Sequence, residues 1–231
     1  MIANRNFRRL PGNTSGVAMT EFALGAPFLL MAGLWGIELA NFALANMKVS
    51  QLALHIADNA SRIGDTSTLQ NRKIYESDLN DVIFGAQIQG GKAIGLYDNG
   101  RVFISSVEVN AESTTQYIHW QRCRGVKNVT SSYGNEGDSL GTKGIGPLGD
   151  EVVAQPGDAV IFVQVNYTYQ PMIAGKFFPN RDIHAIASFT VRDSRDLAQI
   201  YQRDPAKPDP VQSCTAAKKG AVTVSANGTF S

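Results

Sequence analysis

Two cysteines, three histidines and two tryptophans are all that 231 residues contain of these types, and the scarcity excludes a good deal. His55, His119 and His184 stand far apart, and neither an HExxH pair nor paired CxxC units occur, so the usual zinc-ligand spacings are missing. No GxSxG, Walker loop or catalytic-cysteine context is present, so no nucleophile can be named. Basic and acidic residues nearly cancel, 21 against 20, and no run of Lys or Arg is long enough for a groove-binding patch, which removes nucleic acid as a partner. The stretch "GIGPLG" at 144–149 has the spelling of a dinucleotide fingerprint, but that fingerprint must leave a strand and open a helix. Here Pro147 intrudes and "DEVVAQPGD" follows, so a turn is expected rather than a cofactor site. No cofactor, no small-molecule substrate and no enzymatic activity are expected.

Charge is unevenly placed at the start. Arg5, Arg8 and Arg9 precede an apolar run, with no acid until Glu21, so the positive-inside bias puts the N-terminus in the cytoplasm and the remainder outside. The uncharged run 22–37 spans roughly 24 Å as a helix, short of a hydrocarbon core of roughly 30 Å. Extending it through Ala45 places the membrane span at about 22–45, with Glu38 and Asn41 snorkelling at the far interface and Trp35 either an interfacial anchor or an aromatic filling a helix contact. Pro27 predicts a local kink.

The helical pattern continues past this run. Phe42, Ala45, Val49, Leu52, Ile56, Ala60 and Ile63 recur at steps of three and four, with Lys48, Gln51, Asp58 and Arg62 away from the stripe, until Gly64 and Asp65 end it. One helix over 17–63 follows, apolar all round in its first half and amphipathic in its second. A membrane helix followed by a separate surface helix is the alternative.

Residues 64–231 read as an α+β domain. Ser77 is the expected N-cap of a second, short helix over "YESDLNDVIFGAQIQGG", and Asn99-Gly100 signals a tight hairpin before the β-rich "RVFISSVEVN". In "AVIFVQVNYTYQP", Ile161, Val163, Val165, Tyr167 and Tyr169 share one face and Gln164, Asn166 and Thr168 the other, as in a half-buried strand. "IHAIASFTV" alternates likewise, with Ile183, Ala185, Ala187, Phe189 and Val191 inward, and "YIHW" is a further strand. Residues 127–157, rich in Gly, Ser, Asn and Asp without periodicity, read as a long exposed loop. In "VRDSRDLAQ", Asp193 or Ser194 caps a helix start and Asp196 favours its dipole. Helix first and antiparallel strands later, with the amphipathic half-helix laid across the sheet, is an α+β arrangement.

Cys123 and Cys214 both fall in the part expected outside the membrane, where one bridge is favoured over a metal site. It would close a loop of about 90 residues and stabilise by roughly 4 kcal/mol in the chain-entropy model. Free, buried thiols are the other reading.

Glu21 remains, an acid at the door of the apolar run. In "GVAMTEF", Gly16 is followed by four uncharged residues and then Glu21, after a basic leader over 1–16 and before the long helix. This resembles the processing site of the type IV pilin superfamily. The resemblance implies that a prepilin peptidase cuts after Gly16, that Val17 carries the new amine, and that Glu21 meets that amine on a neighbouring subunit. Within the superfamily, "GVAMTEFALGAPFLL" looks most like the TadE-like proteins of the tight-adherence (Tad, Flp) pilus system. "IHWQRCRG", "GIGP", "VNYTYQP" and "VRDSRDLAQIY" are similar to the external part of that family in the same order. The family's major pilins are short peptides with Glu-Tyr here, whereas Phe22 follows Glu21 and a large domain follows the helix, so the resemblance implies a minor pseudopilin. Other pilins and the Tad assembly machinery are its implied partners, and the bacterial inner membrane its implied location, with the domain in the periplasm.

Two other readings stand beside it. "ALA" at 43–45 satisfies a signal-peptide cleavage site, which would release a secreted protein beginning at Asn46. A simple membrane-anchored domain, with no processing at all, is the third.

Overall fold

A computed structural model describes residues 15–65, 71–110, 112, 114–173, 180–192 and 194–215. Arg5, Arg8, Arg9 and Asp193 lie outside the described residues. The apolar stripe of 42–63 and the apolar run before it form one continuous 48-residue helix, α1 (Ser15–Arg62), which passes through Pro27. Two short helices follow, α2 (Glu76–Ile94) and α3 (Leu96–Asn99). The strands are β1 (Gly100–Val109), β2 (Gln116–Arg124), β3 (Ser139–Gly141), β4 (Ala159–Thr168) and β5 (Asp182–Thr190). They make one antiparallel sheet in the order β3-β2-β1-β4-β5, so the fold is α+β, as the element order led us to expect.

The second half of α1 lies on β5 and β4. Ala45, Val49, Leu52, Ile56 and Ala60 are buried and Phe42 and Ile63 pack against the same core, while Lys48, Gln51 and Arg62 face out. The sheet supplies Ile161, Val163, Val165 and Tyr167 from β4 and Ile183, Ala185 and Ala187 from β5, the inward faces read from the alternation. Small side chains on both sides of this contact, Ala53, Ala57 and Ala60 against Ala185 and Ala187, let helix and sheet approach closely.

Four expectations require correction. First, β4 is buried on both faces, because residues 127–157 do not hang free: Tyr133, Leu140, Ile145, Val152 and Ala154 fold onto Val107, Ile118, Val160 and Phe162 as a second core. Gln164, on that polar-looking face, accepts hydrogen bonds from the Ser131 hydroxyl and the Ser132 N–H. Few apolar side chains at irregular spacing do this covering, which is why no periodicity announced it. Within the segment Ile145 and Val152 exchange backbone hydrogen bonds, so "GIGP" is a turn as expected, and a Cβ on Gly144 would lie 2.1 Å from the Val152 carbonyl.

Second, Asn99-Gly100 does not close a hairpin. Asn99 ends α3 and Gly100 opens β1 in extended conformation, where a Cβ would lie 2.8 Å from the Asn166 and Leu96 carbonyl oxygens. Third, α2 begins before Ser77: Tyr75 is the N-cap, its N–H donating to the Asp78 carboxylate, while the Ser77 hydroxyl receives Arg203 Nε. Glu76 in that first turn is buried and takes Arg122 of β2 through Nε and Nη2, tying the start of the helix to the sheet. Fourth, "VRDSRDLAQIY" is no helix start. Arg195 and Tyr201 bridge Arg72 and Tyr75 in parallel, an extended strap whose Asp196 accepts from the Tyr201 hydroxyl and the Ala198 N–H. The Tyr201 bond, first, and the Ala198 bond hold that carboxyl below its usual range.

Cys123 and Cys214 are bonded, as expected. β3 pairs with Gln116 and Tyr117, and residues 136–138 take the Ile118 backbone and the Gln121 N–H, which would leave the end of β2 as an open edge. The tail covers part of it: the Cys123 N–H donates to the Gln212 carbonyl, Arg124 reaches the Gln212 side chain, and Arg101 reaches the Cys214 carbonyl. The bridge staples the tail in that place.

Packing of α1 on the sheet makes a position-specific prediction. Ile56→Ala, at 1% exposure, should lower stability by about 2–5 kcal/mol in urea unfolding of the detergent-solubilised chain. Leu54→Ala, on the outer face of the same turn, should stay within about 0.5 kcal/mol.

Candidate functional site

Burial divides α1 at one residue. Every residue over 16–37 is exposed except Gly25 and Ala26, which are half-buried, and burial by the domain begins at Glu38. The bare section over 16–37 is about 22 residues, roughly 33 Å at the helical rise. Its residues are almost all apolar, so in water it would expose Phe22, Leu24, Phe28, Leu29, Leu30 and Met31 together. A patch of that size marks a surface that binds protein or lipid.

Glu38 is not at an open interface. Its side chain is 1% exposed and closed under the β4–β5 connection, which corrects the expectation that it snorkels. Tyr169 donates its hydroxyl to Oε1 at 2.6 Å, the Met172 N–H reaches the same oxygen at 3.3 Å, and the Ile173 N–H donates to Oε2 at 3.0 Å. Tyr169 extends the inward face of β4 beyond Thr168, and its N–H is held by the Arg181 carbonyl. Its ring meets Phe42 edge-on at 5.2 Å, and the Arg181 guanidinium lies 5.9 Å from the Phe42 ring centre. A buried carboxylate needs donors on both oxygens, and here one hydroxyl and two backbone groups provide them. The docked helix therefore starts within 22–45, at Glu38.

The opposite end of the bare section carries the motif. Gly16, Val17 and Glu21 sit together in the first turns of α1, with open space around Gly16, Val17 55% exposed and Glu21 exposed. The Thr20 hydroxyl donates to the Val17 carbonyl at 2.8 Å. Among the described residues Glu21 has no hydrogen-bond or ion-pair partner. Trp35, half-exposed, lies about one turn before Glu38.

The three histidines occupy separate places. His55 is on the exposed side of α1, and His184 Nδ1 is 2.6 Å from the Asn166 side-chain oxygen. His119 Nδ1 is 2.8 Å from Oε2 of Glu108, a buried carboxylate whose Oε1 accepts from Ser106. The Glu108 hydrogen bond, opposed by burial and helped by the charges of Glu108 and Glu136, holds the imidazole above its ordinary 6.5. Among the described residues no group of three or more His, Cys, Asp or Glu could hold a metal ion.

A long apolar N-terminal helix packed by its second half on an antiparallel sheet, with a disulfide in the domain, defines a pilin-like architecture. No protein-family model matches the chain, and neither a curated protein nor a solved structure is significantly similar to it. The disulfide suggests an extracytoplasmic domain, and α1 is apolar and long enough to cross a membrane. Sequence reasoning missed the Glu38–Tyr169 tie. Glu38 was visible as an acid near the end of an apolar run, but nothing local in either residue points to a partner 131 positions away.

Two predictions follow from these geometries. Tyr169→Phe, which keeps the ring against Phe42 and removes one donor to a buried carboxylate, should cost about 1.5–3 kcal/mol in urea unfolding of the solubilised chain. For His119 the folded-state pKa is raised, so the pair with Glu108 stabilises fully below the ordinary 6.5 and loses that contribution as pH rises through the raised value. The stability gap between the wild type and His119→Gln should accordingly be widest near pH 6 and shrink as pH climbs, read from urea midpoints at each pH.

Proposed function

We propose that the protein is a minor pseudopilin of a tight-adherence pilus, TadE-like, with a structural role in pilus biogenesis and no catalysis. Residues 17–37 span the bacterial inner membrane, the basic leader stays in the cytoplasm and the domain stands in the periplasm. A prepilin peptidase cuts after Gly16. The Glu21 carboxylate then receives the amine of Val17 from a neighbouring pilin, which registers helices as they leave the bilayer.

The observation that carries this reading is the match between helix and membrane. Residues 17–37, the part of the bare section that follows the proposed cut, are roughly 31 Å long against a hydrocarbon core of roughly 30 Å, and they end at the residue before the buried Glu38. An acid left inside hydrocarbon costs about 2.5–3.5 kcal/mol at the centre of a helix and less near its ends, so a carboxylate in the first turns calls for a cationic partner. Glu21 has none among the described residues of its own chain, and the amine of a second copy supplies one.

The signal-peptide reading meets an obstacle in the same helix. Cutting after Ala45 would remove Glu38, Phe42 and Ala45, which are already part of the packed domain. The plain anchor reading leaves Gly16 and the spacing to Glu21 without a use.

The mature N-terminus separates the three. Sequencing and intact mass of the membrane-associated protein should give Val17, where Asn46 would indicate a signal peptide and an uncut leader an unprocessed anchor. Gly16→Leu should block the cut. Glu21→Leu should leave membrane insertion intact and abolish pilus assembly, and normal piliation by that variant would remove the role given to the acid.

A further inference from the structure

At the start of the β4–β5 connection two apolar side chains stand where water-facing residues would be polar. Met172 is 75% exposed and Ile173 40%, and neither packs into either core. Their height is set by Glu38, because the backbone N–H groups of both residues bond its carboxylate. They therefore stand level with the first docked residue of α1, immediately beyond the bare section. We infer that Met172 and Ile173 form a second membrane contact, resting in the headgroup and acyl boundary of the leaflet from which α1 emerges. This rests on the reading of 17–37 as a membrane span.

The surroundings suit a lipid surface. Trp35 lies about one turn nearer the membrane on α1, half-exposed, and indole rings favour that depth. Arg181, exposed and joined to Tyr169 through its carbonyl, brings a cation to the level where anionic headgroups lie. The Met172 and Ile173 backbone N–H groups are already bonded to Glu38, so seating these two residues in lipid breaks no hydrogen bond of theirs. The consequence is orientational. A single helix crossing a bilayer leaves helix and domain free to turn together about the helix axis, whereas a second point beside the helix sets which face of the sheet looks along the membrane and which looks away.

The test uses the full chain in vesicles of phosphatidylethanolamine and phosphatidylglycerol containing lipid brominated at shallow acyl positions, with tryptophan quenching as readout. Trp120 is buried in the domain and gives a common background. The wild type reports on Trp35. Trp35→Phe combined with Met172→Trp reports on the turn, and Trp35→Phe with Asn59→Trp reports on an exposed site about 31 Å further along α1. The expected result is loss of emission from position 172 comparable with that from Trp35, a blue shift relative to position 59, and no quenching at position 59. Quenching at Trp35 with position 172 as bright as position 59 overturns the second contact and leaves the spanning helix standing, with Met172 and Ile173 then free for a protein neighbour. Quenching at neither Trp35 nor position 172 overturns the spanning helix, and the second contact with it.

Discussion

A carboxylate at the foot of the domain sets the geometry of this molecule. Glu38 is buried, and a buried charge without donors is too costly to keep, so the chain must bring hydrogen-bond donors to it. The β4–β5 connection does this with the Tyr169 hydroxyl and the N–H groups of Met172 and Ile173. One interaction thereby fastens the end of a strand to the middle of a helix. Below it α1 is bare and apolar, above it α1 is part of a core, and the boundary is sharp because the residue that marks it cannot belong to the bare half.

The rest of the domain packs around that boundary. Alanines on α1 and β5 bring the helix close to the sheet, so the upper half of α1 behaves as a core element rather than a tether. Residues 127–157 and the tail close the other face and the edge of β2, and the disulfide keeps the tail where it covers that edge. A helix shared in this way transmits position: whatever fixes its lower half relative to neighbours also fixes the domain. That is the mechanical property a subunit needs if helices are registered near the membrane while domains are presented outside, and it is what the proposed pilin role draws on.

Periodicity reported what it physically encodes. The stripe from Phe42 to Ile63 and the alternations of "AVIFVQVNYTY" and "IHAIASFTV" are set by helical rise and by the strand pleat, so the faces they bury were readable in advance. Ser77, Asn99-Gly100 and Asp196 misled because capping and turn signals are short and are overridden by tertiary partners: Arg203 for Ser77, the close approach of Asn166 to Gly100, Tyr201 for Asp196. The second face of β4 looked wet because its cover is an aperiodic segment.

The amino-acid order alone determined that helical periodicity runs from the apolar run through the stripe to Ile63, that the run is preceded by a glycine and an acid five residues apart, which strand faces turn inward, and that two cysteines lie in the domain. Those are local facts, carried by neighbours within a few positions. That the run and the stripe are one helix is seen in the structure. Tertiary structure decided where the helix stops being bare, what satisfies Glu38, how residues 127–157 close the sheet, and which residues stand level with the end of the bare section. Each of these depends on groups many positions apart meeting in space, and no periodicity records such a meeting, because the free energy that selects it comes from burying the whole set together.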